Sequence, residues 1–138
     1  MILGIGTDLV EIARIGKALE RHPERFAAKV FTDAERQACA RRQETACLAK
    51  RFAAKEAMAK ALGTGMRDGV WFTGMEVEND PLGRPTLRVN GETARRLETL
   101  RDRSGAQKVV IHLSLADEGG FALAHVVLEG VTSSAPVC

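Results

Sequence analysis

Apolar and polar positions in the opening segment, ILGIGTD, alternate with period two. Leu3, Ile5 and Thr7 fall on one side, and Gly4, Gly6 and Asp8 on the other. This pattern predicts a strand over 2–7 with Asp8 at its end, whose glycines leave one face open to a closely packed helix or strand. The period turns helical over 11–21, where Ile12, Ile15 and Leu19 form one stripe, and Pro23 interrupts it. The long segment after Asp33 predicts one or two helices, the first capped by Thr32 or Asp33. A helix over 46–62 offers Ala49, Phe52, Ala53, Met58 and Ala61 as packing surface. Its alanines favour helical backbone and allow close contact. Gly63 stops it, and Gly65 frees the following turn.

Strands are predicted over 70–79, with Trp71, Thr73, Met75 and Val77 on one side, and over 86–89 beyond the turn marked by Pro81 and Gly83–Arg84–Pro85. A helix at 92–100 and a polar connection at 101–107 follow. VVIHLSL over 109–115 and FALAHVVLE over 121–129 predict a hairpin about a turn at 117–120. The order predicts an α+β fold: a small antiparallel sheet packed with helices, in one domain over 1–130 with a loose tail over 131–138.

Composition narrows the function classes. The 138 residues are 45% hydrophobic, which suits one small domain with an oligomer as a further place to bury surface. Twenty basic residues nearly balance eighteen acidic ones. Tyrosine is absent and Trp71 stands alone, so neither a concentrated basic footprint nor an aromatic stacking platform for nucleic acid is expected. No apolar run has membrane-spanning length, and the early Asp8 argues for a buried strand rather than a signal peptide. Cys39, Cys47 and Cys138 lack metal-ligand spacing, so structural cysteines in a reducing, cytoplasmic setting are expected.

The chemistry-bearing residues lie far apart in the chain. Asp8 has two readings, an Asx turn or cap before the first helix, or a Mg²⁺ ligand at a strand end. Glu56 supplies a second carboxylate for such an ion, or an i,i+4 ion pair with Lys60, one helical turn away. Lys60 is a candidate for stabilising phosphate charge. Arg51, Lys55, Lys60 and Arg67 add positive charge around the Gly63–Thr64–Gly65 turn. His112 is a candidate phosphate contact or a structural strand residue, and His125 carries less information. Ser114 and Asp117 near His112 suggest a triad, but no nucleophile elbow surrounds Ser114. Arg14, Arg21 and Arg25 form either a docking patch for an acidic protein or a solvated helix flank.

Four blocks, GIGTDLVEIARI, RFAAKEAMAKALGTG, PLGRPTLRV and HLSLADE, occur in the order found in bacterial holo-[acyl-carrier-protein] synthases. The chain therefore resembles this small stand-alone class of 4′-phosphopantetheinyl transferase over nearly its whole length except the tail. The resemblance implies that fold, and transfer of 4′-phosphopantetheine from coenzyme A to a serine of apo-acyl-carrier protein in support of fatty-acid synthesis. It implies Asp8 and Glu56 as Mg²⁺ ligands, Glu56 and Lys60 as catalytic groups, and Arg51, Lys60, Gly63, Thr64, Gly65 and His112 as coenzyme A contacts. Arg14, Arg21 and Arg25 are implied as the surface for acyl-carrier protein. A homotrimer with active sites at subunit boundaries is implied as well. Ala116 departs from the family, which commonly has serine or threonine there. Two other classes fit the residues alone: a different Mg²⁺-dependent phosphate-transfer or hydrolysis enzyme, and a noncatalytic module binding acidic protein or RNA.

Overall fold

The computed structural model describes residues 1–41 and 43–132. Strand β1 (Ile2–Glu11) leads into helices α1 (Ile12–Arg21), α2 (Pro23–Val30), α3 (Asp33–Cys39) and α4 (Glu44–Ala61). Strands β2 (Met75–Asn79) and β3 (Pro85–Val89), helix α5 (Gly91–Ser104), and strands β4 (Lys108–Glu118) and β5 (Phe121–Val131) complete the order. One antiparallel sheet runs β1-β5-β4, and β2 and β3 form a separate two-stranded sheet. The expected α+β class is thus realised with two sheets.

Helix α4 is the axis of the molecule. Ala49, Ala53, Ala54, Ala57, Met58 and Ala59 are wholly buried, as are Ala122, Ala124, Val126 and Leu128 of β5. Small side chains let this helix lie against the sheet, and glycine does the same on the strand. A Cβ at Gly6 would sit 1.8 Å from the Ala57 carbonyl oxygen, and one at Gly4 2.0 Å from that of Ala61. Only glycine permits this approach, which brings the end of β1 beside the last turns of α4.

Several boundaries differ from the period-based reading. β1 continues to Glu11 because residues 2–11 pair with β5 along its length, so Asp8 lies within a strand and neither ends it nor caps α1. The residue preceding α1 is Glu11, with no side-chain cap. Pro23 opens a further helix, as its fixed φ suits a first helical position. Trp71 and Thr73 lie outside the strand, because 72–74 form a 3₁₀ turn before β2. The polar run 101–104 is helical and ends at left-handed Gly105. Asp117 belongs to β4, and Gly119–Gly120 alone make the turn, both at positive φ. Val131 ends β5, and 133–138, with Cys138, lie outside the described residues.

Thr32 caps α3 in a capping box with Glu35. Cys39 and Cys47 form a disulfide between the end of α3 and the start of α4, their Cα atoms 5.4 Å apart. Their eight-residue spacing did not announce this pairing. The chain reversal between the two helices brings the thiols together.

Candidate active site

Contact between β1 and α4 assembles the carboxylates and the lysine. Lys60 Nζ donates to Asp8 Oδ1 at 3.2 Å and to the Thr7 carbonyl oxygen at 3.0 Å. Of the two readings of Glu56, the helical ion pair with Lys60 does not form; Lys60 pairs with Asp8 instead, because the glycine contacts deliver Asp8 to the face of α4 that bears Lys60. Burial raises the Asp8 carboxyl above the ordinary carboxylate range, against the lowering effects of Lys60 and Arg14. Glu56 is raised too, by burial first and by the Asp8 charge second. Two half-buried carboxylates thus lie close enough to repel each other across two elements, with the Lys60 ammonium on the Asp8 side.

That donor set fits Mg²⁺, which takes oxygen ligands and commonly uses one or two carboxylates, completing its shell with water and substrate phosphate. Among the described residues, no group of three or more His, Cys, Asp or Glu gathers as a metal site. Any ion at Asp8 and Glu56 would therefore draw its other ligands from water and substrate.

Two indentations border α4, one toward each end. One, of about 510 Å³, is lined by Lys60, the Gly63–Thr64–Gly65 turn, Arg67, Asp68 and Arg96. Gly63 and Gly65 take positive φ of 83° and 64°, and a Cβ at either would meet nothing within 4 Å, so their backbone faces open space. The other, of about 800 Å³, lies toward the start of α4. Its lining includes Cys47, Lys50 and Arg51, and Asn79, Asp80 and Gly83 of the β2–β3 turn. Arg51 is buried and donates to Cys47, at 3.1 Å to Sγ, while its Nε has no hydrogen-bond partner. Burial lowers its proton affinity, opposed by the Glu35 charge. The Nε is itself buried, so what Arg51 brings to the cavity wall is its positive charge, which suits an anionic ligand.

The remaining predicted residues are dispersed. His112 is exposed on the outer face of β4, with Nε2 2.9 Å from Glu129 Oε1. Ser114, Ala116 and His125 share that outer face, and His125 Nδ1 lies 2.7 Å from Thr7 Oγ1. His112 and Ser114 are adjacent along one strand, while Asp117 pairs with Lys50 at 3.2 Å, so the three do not form a triad. Arg14, Arg21 and Arg25 are exposed on α1 and α2. Arg14 lies near enough to lower both Asp8 and Glu56 electrostatically.

The sequence reading missed Lys50, the Asn79–Gly83 wall and Arg96. Lys50 and Arg96 stand in helices rich in ordinary charge, where spacing cannot mark a cavity. The Gly83–Arg84–Pro85 signal located the turn but not what it faces.

The 4′-phosphopantetheinyl transferase superfamily model matches residues 4–116. A holo-[acyl-carrier-protein] synthase of Nitrobacter hamburgensis is 48% identical over 137 residues, covering 96% of this chain and 97% of the relative. The crystal structure of holo-[acyl-carrier-protein] synthase from Neisseria meningitidis superposes with a TM-score of 0.77 at 38% identity, over 94% of this chain and 99% of that one. A Bacillus anthracis holo-(acyl-carrier-protein) synthase in complex with CoA (3′,5′-ADP) gives 0.74 at 37% identity, over 94% and 98%. With the carboxylate pair, Lys60 and the glycine turn assembled on one helix and its neighbouring strand, the chain belongs to the 4′-phosphopantetheinyl transferase superfamily.

Proposed function

We propose that this protein transfers 4′-phosphopantetheine from coenzyme A to the serine hydroxyl of apo-acyl-carrier protein, releasing adenosine 3′,5′-bisphosphate. The observation that carries this reading is the convergence of Asp8, Glu56 and Lys60 on the β1–α4 contact. The serine oxygen bonds to the β-phosphorus as the bond from that phosphorus to the bridging oxygen breaks, and the nucleotide leaves with that oxygen. Asp8 and Glu56 would hold Mg²⁺, which when bound offsets charge on the diphosphate. Lys60 neutralises developing charge on the phosphate oxygens. The serine proton passes to water, or through water to Glu56.

Arg51 and Lys50 receive the nucleotide end of coenzyme A in the larger cavity. Nine positions along α4, about two and a half turns, set Arg51 and Lys60 on opposite sides of the helix, so the Arg51 cavity serves a nucleotide whose diphosphate lies at the Lys60 of a neighbouring copy. Incubation with coenzyme A, Mg²⁺ and intact apo-carrier, followed by intact-protein mass measurement, tests the reaction. A carrier gaining one phosphopantetheine on serine supports it, and an unmodified carrier beside hydrolysed coenzyme A overturns it.

The carrier docks on Arg14, Arg21 and Arg25. Arg14 and Arg21 lie two helical turns apart on α1, and Arg14 borders the carboxylates, so a bound acidic helix would present its serine at the reacting phosphate. Arg21→Glu is expected to weaken carrier affinity about tenfold at low salt, with the difference shrinking as salt rises. Equal affinities measured by titration would remove the docking role.

The assembly we propose is a homotrimer in the cytoplasm. No helix among the described residues is long and apolar enough to cross a membrane. Ile5, Leu9, Phe121 and Leu123 expose 39–61% of their surface on the outer face of the β1-β5-β4 sheet, an apolar patch that favours burial against another copy. His112 on this face would then reach a neighbouring subunit's coenzyme A. Sedimentation equilibrium should return three times the chain mass, and Leu9→Lys should return one.

A further inference from the structure

We infer that Arg96, on α5, is a binding residue for the diphosphate of coenzyme A. The inference rests on the transfer reading above and adds a side chain from an element outside that site. Arg96 lines the same indentation as Lys60, Arg67 and the glycine turn. Its helix supplies an internal comparison. Arg95 pairs with Glu92, and Arg101 with Asp102, whereas Arg96 and Arg103 make no ion pair or side-chain hydrogen bond among the described residues; of these two only Arg96 lines the indentation, beside the likewise unpaired Arg67.

One local explanation for clustered cations is the negative end of α4. That end is already satisfied. The Met58, Ala59 and Lys60 carbonyls accept from the backbone N–H groups of Leu62, Gly65 and Gly63 at 3.0, 3.1 and 2.9 Å. Asp68 is the sole acidic residue in the lining, and Lys60 is bound to Asp8, so Arg67 and Arg96 face the opening with charge to spare. Three cations around exposed glycine backbone suit a ligand carrying more than one negative charge. Lys60 joins this indentation to the carboxylate pair, which places the diphosphate there. The 3′-phosphate lies at the other end of the nucleotide, away from this indentation.

The test compares Arg96→Gln with wild type and with Arg95→Gln, an exposed neighbour outside the indentation. Arg96→Gln should raise KM for coenzyme A about tenfold, the loss expected of a charge-assisted hydrogen bond. It should leave the carrier KM and the melting temperature unchanged, and the same ratio should persist with 3′-dephospho-coenzyme A as donor. Arg95→Gln should match wild type. Three results would overturn the inference: a coenzyme A KM equal to wild type, a rise confined to the carrier KM, or a ratio that vanishes with the dephospho donor. Wild-type protein that binds coenzyme A without transferring from it refutes the transfer reading alone. Calorimetric titration of coenzyme A into wild type and Arg96→Gln then decides the arginine's role.

Discussion

Glu56→Gln is expected to lower Mg²⁺-dependent turnover by roughly a hundred- to a thousandfold while leaving the fold at least as stable. The loss follows from removing one of the two carboxylates that meet across the β1–α4 contact. The stability follows from the opposite side of the same arrangement. Burial and the Asp8 charge hold the Glu56 proton affinity above its unfolded value. The folded state therefore keeps more protons than the unfolded state between the unfolded and folded pKa values. Stability contributed by this site falls as pH rises through that window. Glutamine carries no such charge, so the variant's melting temperature, measured without divalent ions, should gain on wild type from acid toward neutral pH. Unchanged turnover in the folded variant would end the assignment of Glu56. A variant that melts far below wild type at neutral pH would show that the carboxylate is structural.

The second large effect lies behind the larger cavity and is one of stability. Glu35 and Lys55 form a wholly buried pair, with Nζ to Oε1 at 2.7 Å. Lys55 also donates to the Val30 carbonyl at 2.6 Å, and Glu35 accepts from the backbone N–H groups of Thr32 and Val77 at 3.0 and 2.7 Å. Burial lowers the proton affinity of Lys55, opposed chiefly by the Glu35 charge. Glu35→Ala strips that support and leaves a buried ammonium without a counter-charge. Its expected cost is about 3–5 kcal/mol, read from the denaturant midpoint. The double variant Glu35→Leu with Lys55→Met should recover much of this, because neither charge then remains buried. A single variant within about 1 kcal/mol of wild type, the scale of an exposed ion pair, would contradict the structure's burial of the pair. Since Glu35 ties α3 to α4 and β2, which together wall the cavity around Arg51, its loss should also raise KM for coenzyme A.

Most elements were legible because local pattern and tertiary demand agree. Alternation in β5 matches its buried Ala122, Ala124, Val126 and Leu128, and the alanine density of α4 matches a helix enclosed on nearly all sides. Boundaries failed where pairing overrode local pattern, as in residues 8–11, held in a strand by β5 despite a helical stripe beginning at Ile12. Asp8, Glu56, Lys60 and the glycine turn could be named from residue type and order. Their partners could not. Lys60 bonds to a strand rather than to its helical neighbour, and Arg96 reaches the same indentation from an element whose own charges look ordinary.

The sequence by itself determined the α+β class, the apolar helix that spans the core, the two carboxylates and the lysine, and membership in a transferase superfamily. These depend on residue type, period and chain order, which are local or linear properties. Only the tertiary structure decided that Asp8 meets Lys60, that Cys39 meets Cys47, that Glu35 and Lys55 lock three elements together, and that Arg96 completes a cationic wall. Each is a meeting between elements, and its geometry is set by where backbone can approach backbone. In this chain that place is two glycines on β1 pressed against the carbonyls of Ala57 and Ala61.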